Sequence, residues 1–257
     1  MGKLNFKLLV EYDGTAFHGW QSQPADRTVQ DALEAALKKV TGQQRVSVIG
    51  AGRTDAGVHA LGQVAHVKLD TKLSAERLRM AVNSNLAEDL RVQNIELVGD
   101  DFHARFSAVR RRYSYTIATA QPVIGRQYVW SPRQVSKQGL DRELLAQCAQ
   151  RVLGHHDFSG FAKANMESDS TMCHVDTSLW EPSGSRLVYH IAADRFLHHM
   201  VRYLVGTMVE VVRGRYSVDQ FAAQVRQGTS ELTIYRAPAS GLVLEEVQYA
   251  PPNQHEA

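Results

Sequence analysis

The stretch Gly50-Ala51-Gly52-Arg53-Thr54-Asp55-Ala56-Gly57-Val58-His59-Ala60 limits the possible folds of this chain more than any other. It lies between two apolar runs that read as strands, Val46 to Ile49 and Gln63 to Leu69. Residues 50–62 contain four glycines and form no regular element. The opening G-x-G, with Asp70 about twenty residues on, has the outline of a dinucleotide-binding turn. Two features exclude that reading. The third fingerprint position is Asp55, which would set a carboxylate against a pyrophosphate. The next strand also starts too soon for the crossover helix that parallel strands need. What remains is a glycine-rich loop presenting Arg53, Thr54, Asp55 and His59.

The other segments show the same mixture. Phe6 to Tyr12 alternates as a half-buried strand and runs into Asp13-Gly14. Thr28 is positioned to cap a helix with Leu33, Ala36, Leu37 and Val40 on one face, ended by Gly42. A second helix starts at Ser74, with Leu78, Ala81, Val82 and Leu86 inward. Strands follow at Val92–Val98 and Ser107–Thr119, then an irregular connection over 120–139. A helix over about 141–153 stops at Gly154. Strands at Val175–Trp180 and Leu187–Ala193 are joined by Pro182-Ser183-Gly184-Ser185. Helices are predicted from about Phe196 to Val212 and from Val218 to Arg226. A loop over 229–241 precedes a closing strand, Leu242–Tyr249. The connections are too irregular for a doubly wound sheet. Element order predicts an α+β fold of two similar halves, 1–118 and 119–257, with the boundary near 118–140.

Composition bounds the function class. With 257 residues, 44% hydrophobic and 22% charged, the chain can bury a core without a disulfide or metal staple. It has no run of 18 apolar residues, so no membrane span is expected. The start lacks the apolar stretch of a signal peptide, and Phe6 stands where a myristoylation motif needs Ser or Thr. Cys148 and Cys173 form no CxxC and are expected as free thiols in a reducing, cytoplasmic setting. A net charge of +2 does not itself point to nucleic acid. Such a partner requires that positive charge be concentrated locally.

Four constellations carry candidate chemistry. Asp55, two residues from Arg53, can be a carboxylate held ionised for nucleophilic or basic work, or one that merely caps a turn. Phe102-His103-Ala104-Arg105-Phe106 leads into Arg110 to Tyr115. Alternation there sets Arg110, Arg112 and Ser114 on one face, with Arg111, Tyr113 and Tyr115 on the other. Guanidinium for phosphate and ring for base suits a nucleic acid, while a solvated basic face over core tyrosines is the alternative. In the 196–206 segment, His198 and Arg202 are expected to share a helix face, with Leu197, Val201, Leu204, Val205 and Met208 buried. Neighbouring His198 and His199 cannot both ligate zinc from one helix, and the pairs His155-His156 and Cys173-His174 also lack metal spacing. Fourth, Glu11 to Gln21 is an aromatic-rich loop, either packed on itself or a nucleic-acid clamp.

Taken together, these motifs resemble the tRNA pseudouridine synthase A family. The resemblance rests on G-A-G-R-T-D-A-G-V-H-A and E-Y-D-G-T-A-F-H-G-W-Q, then F-H-A-R-F-S-A at 102–108. R-R-Y-S-Y at 111–115 and F-L-H-H-M-V-R-Y-L-V-G at 196–206 complete it, in order, over residues 6 to 249. It implies an enzyme that isomerises uridine to pseudouridine at nucleotides 38 to 40 of the tRNA anticodon stem-loop. No cofactor and no metal are implied. Each half would be a mostly antiparallel sheet with helices on one face, around a central basic cleft, in a homodimer whose one tRNA touches both subunits. Carried over by motif position, the resemblance implies these roles: Asp55 would be the nucleophile. Arg53 helps flip the nucleotide and pairs with Asp55. Tyr113 stacks on the uracil and serves in proton transfer, and Arg202 is a further partner of the Asp55 carboxylate. His103 and Arg105 join the substrate-binding set. Arg110, Arg111 and Arg112 add to the basic cleft, offset elsewhere by Glu231, Glu245 and Glu246. One departure stands out: 165–169 offers Glu167 and Asp169 where relatives tend to carry a basic residue. The rival class is a non-catalytic tRNA-binding or chaperone protein using the same cleft; a dinucleotide-dependent enzyme is a third class, already weakened by the missing crossover helix.

Overall fold

The computed structural model describes residues 2–131, 139–162, 170–228 and 232–250. The expectations for 165–169 and for Glu231 lie outside these residues. The fold is α+β, with nine strands and five α-helices among the described residues. None of these helices is long and apolar enough to cross a membrane.

The chain divides into two compact units, Met1–Val109 with Leu244–Ala257, and Arg110–Val243. Compactness therefore divides the chain at 109/110, earlier than the 118/119 boundary expected from element order. It also returns the last strand to the first unit. The reason is pairing between distant segments. The closing strand lies beside a strand of the first unit that is far from it in sequence, which element order does not show.

In the first unit, β1 (Leu4–Tyr12) pairs antiparallel with β3 (His59–Leu69) and with β4 (Leu90–Val98). The short β2 (Val48–Gly50) pairs antiparallel with β3, and β9 (Leu242–Tyr249) lies on the other side of β3. Alternation drives the layering. Phe6, Leu8, Val10 and Tyr12 are buried, whereas Leu4 and Leu9 are exposed. Helices α1 (Val29–Thr41) and α2 (Ala75–Asn83) pack on each other, α2 against β4. Thr28 caps α1 by accepting from the Asp31 N–H, and Gly42 ends it in the left-handed conformation, as expected. Ser74 caps α2 as expected, but the helix stops at Asn83. Leu86 is therefore not on its face: the Ser84 and Asn85 side chains donate back to the Met80 and Ala81 carbonyls, closing the last turn.

In the second unit the antiparallel order is β5 (Ala108–Ala118), β8 (Arg186–Ala193), β7 (Met172–Ser183), β6 (Gly154–Asp157). The β7–β8 hairpin is tighter than the expected four-residue link, with only Gly184 and Ser185 between the strands. Helix α3 (Arg142–Val152), capped by Asp141, lies on β7 and packs against α4 (Met200–Val212) and α5 (Val218–Gln227). The capping box of Ser217 and Gln220 starts α5. In α4 the predicted stripe, Val201, Leu204, Val205 and Met208, is buried, as is Leu197 just before it. The helix starts later than expected, at Met200. His199 is its N-cap with a φ of 67°, so His198 lies outside the helix and shares no helical face with Arg202.

Candidate active site

Asp55 is half-buried in a turn between β2 and β3, closed by the Val58 N–H donating to the Asp55 carbonyl at 3.1 Å. The turn is gripped by the loop after β1. The Trp20 N–H donates to the Thr54 carbonyl at 3.1 Å, and the Gly57 N–H to the Phe17 carbonyl at 3.2 Å. Tyr12 and Thr54 share a buried hydroxyl–hydroxyl bond of 2.8 Å. The Gln63 amide donates to the Gly52 carbonyl at 3.0 Å. Gly19 permits this closeness. Its φ is +93°, and a Cβ there would lie 2.6 Å from the Thr54 oxygen. Tyr12, Phe17 and Trp20 are 2–3% exposed. The aromatic loop is therefore a packed support for the Asp55 turn, since buried rings cannot clamp a nucleic acid. Burial pushes the Tyr12 phenol up to about 12, so it stays protonated at working pH. The sequence reading missed Tyr12, Thr54 and Gln63 as supports. The only signal was the density of glycine and aromatic residues around positions 12–20.

Arg53 is exposed, and its Nε donates to the Gln21 side-chain oxygen at 3.1 Å. The expected Arg53–Asp55 ion pair is absent among the described residues. The cause is local: the support loop brings Gln21 within reach, and the guanidinium turns to it.

His103 and Arg105 belong to a separate feature of the first unit, the turn 102–107. The His103 Nδ1 accepts from the N–H groups of Arg105 and Phe106 at 3.2 and 3.3 Å, so His103 caps the turn. Its ring lies between His66, 4.6 Å away and tilted by 57°, and Phe106, 4.4 Å away and tilted by 32°. His66 is seven residues along β3 from His59, roughly 20 Å of extended strand. His103 and Arg105 are thus grouped with each other and not with the Asp55 turn. Arg105 is exposed, with its guanidinium 5.6 Å from the Phe106 ring.

In the second unit, Tyr113 lies on β5 opposite Ile191 of β8. It is buried, its ring edge-on to Phe196 at 5.1 Å. Tyr115, on the same face, is wholly buried and donates to the Pro238 carbonyl at 2.8 Å. Arg110 forms an ion pair with Asp176, its Nε 2.7 Å from the carboxylate, and also reaches the Thr177 hydroxyl at 3.0 Å. That guanidinium holds the Asp176 carboxyl below its usual range. Arg111 donates to the Asp194 carbonyl at 2.7 Å. Arg110 and Arg111 therefore already serve the sheet itself.

Arg202 is 8% exposed. Its Nε donates to the Ala237 carbonyl at 2.8 Å, and the Ala237 N–H returns a bond to the Arg202 carbonyl at 3.0 Å. One turn on, Gly206 lets segment 235–237 lie against α4: a Cβ there would sit 1.9 Å from the Tyr235 carbonyl oxygen. The guanidinium direction is thus set by a backbone clamp as well as by the helix.

The family model described as tRNA pseudouridine synthase matches residues 8–107 and 148–250. The chain belongs to the tRNA pseudouridine synthase family. Curated relatives extend the match over 95% of the chain. A protein of Clostridium perfringens named tRNA pseudouridine synthase A 2 is 36% identical over 247 residues, 95% of this chain and 99% of that protein. The tRNA pseudouridine synthase A of Xanthobacter autotrophicus is 40% identical with the same coverage. That of Roseiflexus castenholzii is 41% identical over 254 residues, 95% of this chain and 90% of that protein. In this tRNA pseudouridine synthase family member, the matched segments include both the Asp55 turn and the 102–107 turn of the first unit. They also include β8 and α4 with Arg202, while Tyr113 falls between the two matched stretches.

Proposed function

We propose that this tRNA pseudouridine synthase acts at nucleotides 38 to 40 of the anticodon stem-loop, with Asp55 as the nucleophile. The observation that carries the reading is the build of the Asp55 turn. Buried aromatic and hydroxyl groups hold its backbone, while Asp55 itself is only half-buried. A turn cap at the surface needs no such support. A group that meets a sugar carbon within tenths of an ångström does.

The reaction is an isomerisation and needs no change of redox state. The C1′–N1 glycosidic bond breaks, the uracil turns, a C1′–C5 bond forms, the C5 proton leaves, and N1 takes up a proton, so the net composition is unchanged. The nucleotide must first leave the RNA stack, at a cost of a few kcal/mol. Stacking on an aromatic ring returns about 1–3 kcal/mol, the role proposed for Tyr113. Asp55 then acts on the sugar. Arg202 is proposed to hold the carboxylate, and its backbone clamp supports a fixed guanidinium. Arg53, already exposed, is proposed to help flip the nucleotide, with Gln21 as its resting partner. His103 and Arg105 are proposed to bind substrate through the turn they share. The proposal includes a homodimer in which one tRNA touches both subunits.

The test is tritium release from tRNA labelled at uracil C5. Asp55→Ala should release none while still binding tRNA. Normal release by Asp55→Ala refutes the assignment. Tyr113→Phe should keep binding and slow release, and a wild-type rate would leave its hydroxyl no chemical role.

A further inference from the structure

The first unit carries a second cationic feature away from the Asp55 turn. A pocket of about 410 Å³ opens beside the β2–β3 pair, lined by Lys3, Arg45, Ser47, Ile49, His66 and Lys68, with Val46. Ile49 and His66 are directly paired across the two strands. Along β3, Lys68 lies nine residues from His59, where the Asp55 loop rejoins the sheet, so the pocket is on the order of 20 Å or more from that loop. Lys68 is half-exposed and shares its ammonium with Asp100, 3.6 Å from the carboxylate. Lys3 and Arg45 are exposed and have no ion-pair partner among the described residues. Two cations without an ion-pair partner among the described residues thus line one concave surface with a third, Lys68, which also donates to the Asp100 carbonyl at 3.2 Å.

The pocket has an aromatic extension. His66 forms part of its wall and touches the His103 ring at a tilt, and His103 in turn touches Phe106. Phe106 is 76% exposed although the turn that carries it is well fixed. A phenyl ring held out to solvent by a capped turn, with the Arg105 guanidinium over it, is a costly arrangement for a fold that needs only a link between two strands. A nucleobase is the partner whose flat face fits such a ring, and its phosphate fits the neighbouring cations.

We propose that Lys3, Arg45 and Lys68 hold a backbone phosphate of the tRNA, with Phe106 packing against an adjacent base, at a contact distinct from the reacting nucleotide. The inference rests on the tRNA reading above and names a second place where that substrate is held. It makes the site a determinant of affinity: phosphate contacts position the RNA, and each adds to the salt dependence of binding.

The test compares the full chain with the Lys3→Ala/Arg45→Ala pair, with Phe106→Ala and with Phe106→Trp. The readouts are tRNA binding across a salt series and steady-state tritium release. The double variant should weaken tRNA binding about tenfold. It should also lower the slope of log Kd against log salt by about 1.5–2, close to one unit for each lost contact. KM should rise while kcat holds. Phe106→Ala should weaken binding with an unchanged salt slope, and Phe106→Trp should restore it. Wild-type KM and salt slope in the double variant overturn the proposal. So does loss of inorganic phosphate binding in that variant with tRNA affinity unchanged, which reassigns the pocket to a small anion. The two readings fail separately. A wild-type chain that binds tRNA through these residues but releases no tritium overturns the isomerase assignment alone. A chain that isomerises normally in every variant overturns this site alone.

Discussion

The buried Tyr12–Thr54 contact offers the sharpest probe of how the Asp55 turn is held. The two hydroxyls are 2.8 Å apart, and the Gln63 amide lies 3.5 Å from the same phenol oxygen. Tyr12→Phe removes one partner and strands the Thr54 hydroxyl in a place water does not reach. Leaving a buried polar group unsatisfied costs about 1–3 kcal/mol. Thr54→Val leaves the phenol with only the long Gln63 contact, at a similar or smaller cost. The double variant removes both hydroxyls, so its cost should fall short of the sum by about 1 kcal/mol or more. Urea unfolding of the four proteins measures this coupling. The functional consequence is separate. Thr54 directly precedes Asp55, and its carbonyl accepts from Trp20. A shift of the turn by about 1 Å should cost on the order of a hundredfold in kcat, with tRNA binding intact. Costs that add to within about 0.3 kcal/mol, with kcat unchanged in Tyr12→Phe, refute the idea that this contact sets the position of Asp55.

Further outcomes follow from the same geometry. Gly206→Ala places a methyl 1.9 Å from the Tyr235 oxygen. It should destabilise the protein by about 1–3 kcal/mol and reduce kcat by displacing the Ala237 clamp on Arg202, measured by urea unfolding and tritium release. His66 should make stability pH-dependent. Burial first, then the nearby charges of His103 and Lys68, lower its pKa below the ordinary 6.5, against a smaller opposing effect from the Ile49 backbone. Its Nδ1 accepts from the Ala104 N–H at 3.1 Å, which only the neutral ring can do. The unfolded chain takes up the proton first as pH falls. The contribution is therefore present above about pH 6.5 and is lost as pH drops through the folded value. Thermal unfolding at about pH 7.5 and about pH 5 should show this loss, and His66→Asn should flatten it.

What could be read in the sequence was what is local. Thr28 with Gly42, and Ser74, mark helix ends because caps act within one turn, and all three work as expected. The burial of Val201, Leu204, Val205 and Met208 follows from helical spacing alone. The closing strand was visible as a strand, but its place beside β3 was not, because strand pairing joins residues far apart in sequence. His199 adopts a positive φ that no periodicity signals, so the start of α4 and the side of His198 were misread. At the candidate site, Asp55 stood out by its glycine-rich setting. Its supports did not. Tyr12 and Gln63 meet the turn only through tertiary packing, and Arg53 follows Gln21 rather than the carboxylate two residues away.

Chemical mapping of pseudouridine along tRNA incubated with the protein tests the central claim most directly. The account predicts new pseudouridine confined to nucleotides 38 to 40 with the wild-type chain, and none with Asp55→Ala at equal tRNA occupancy. Modification at other nucleotides, or an unchanged pattern with Asp55→Ala, would contradict it.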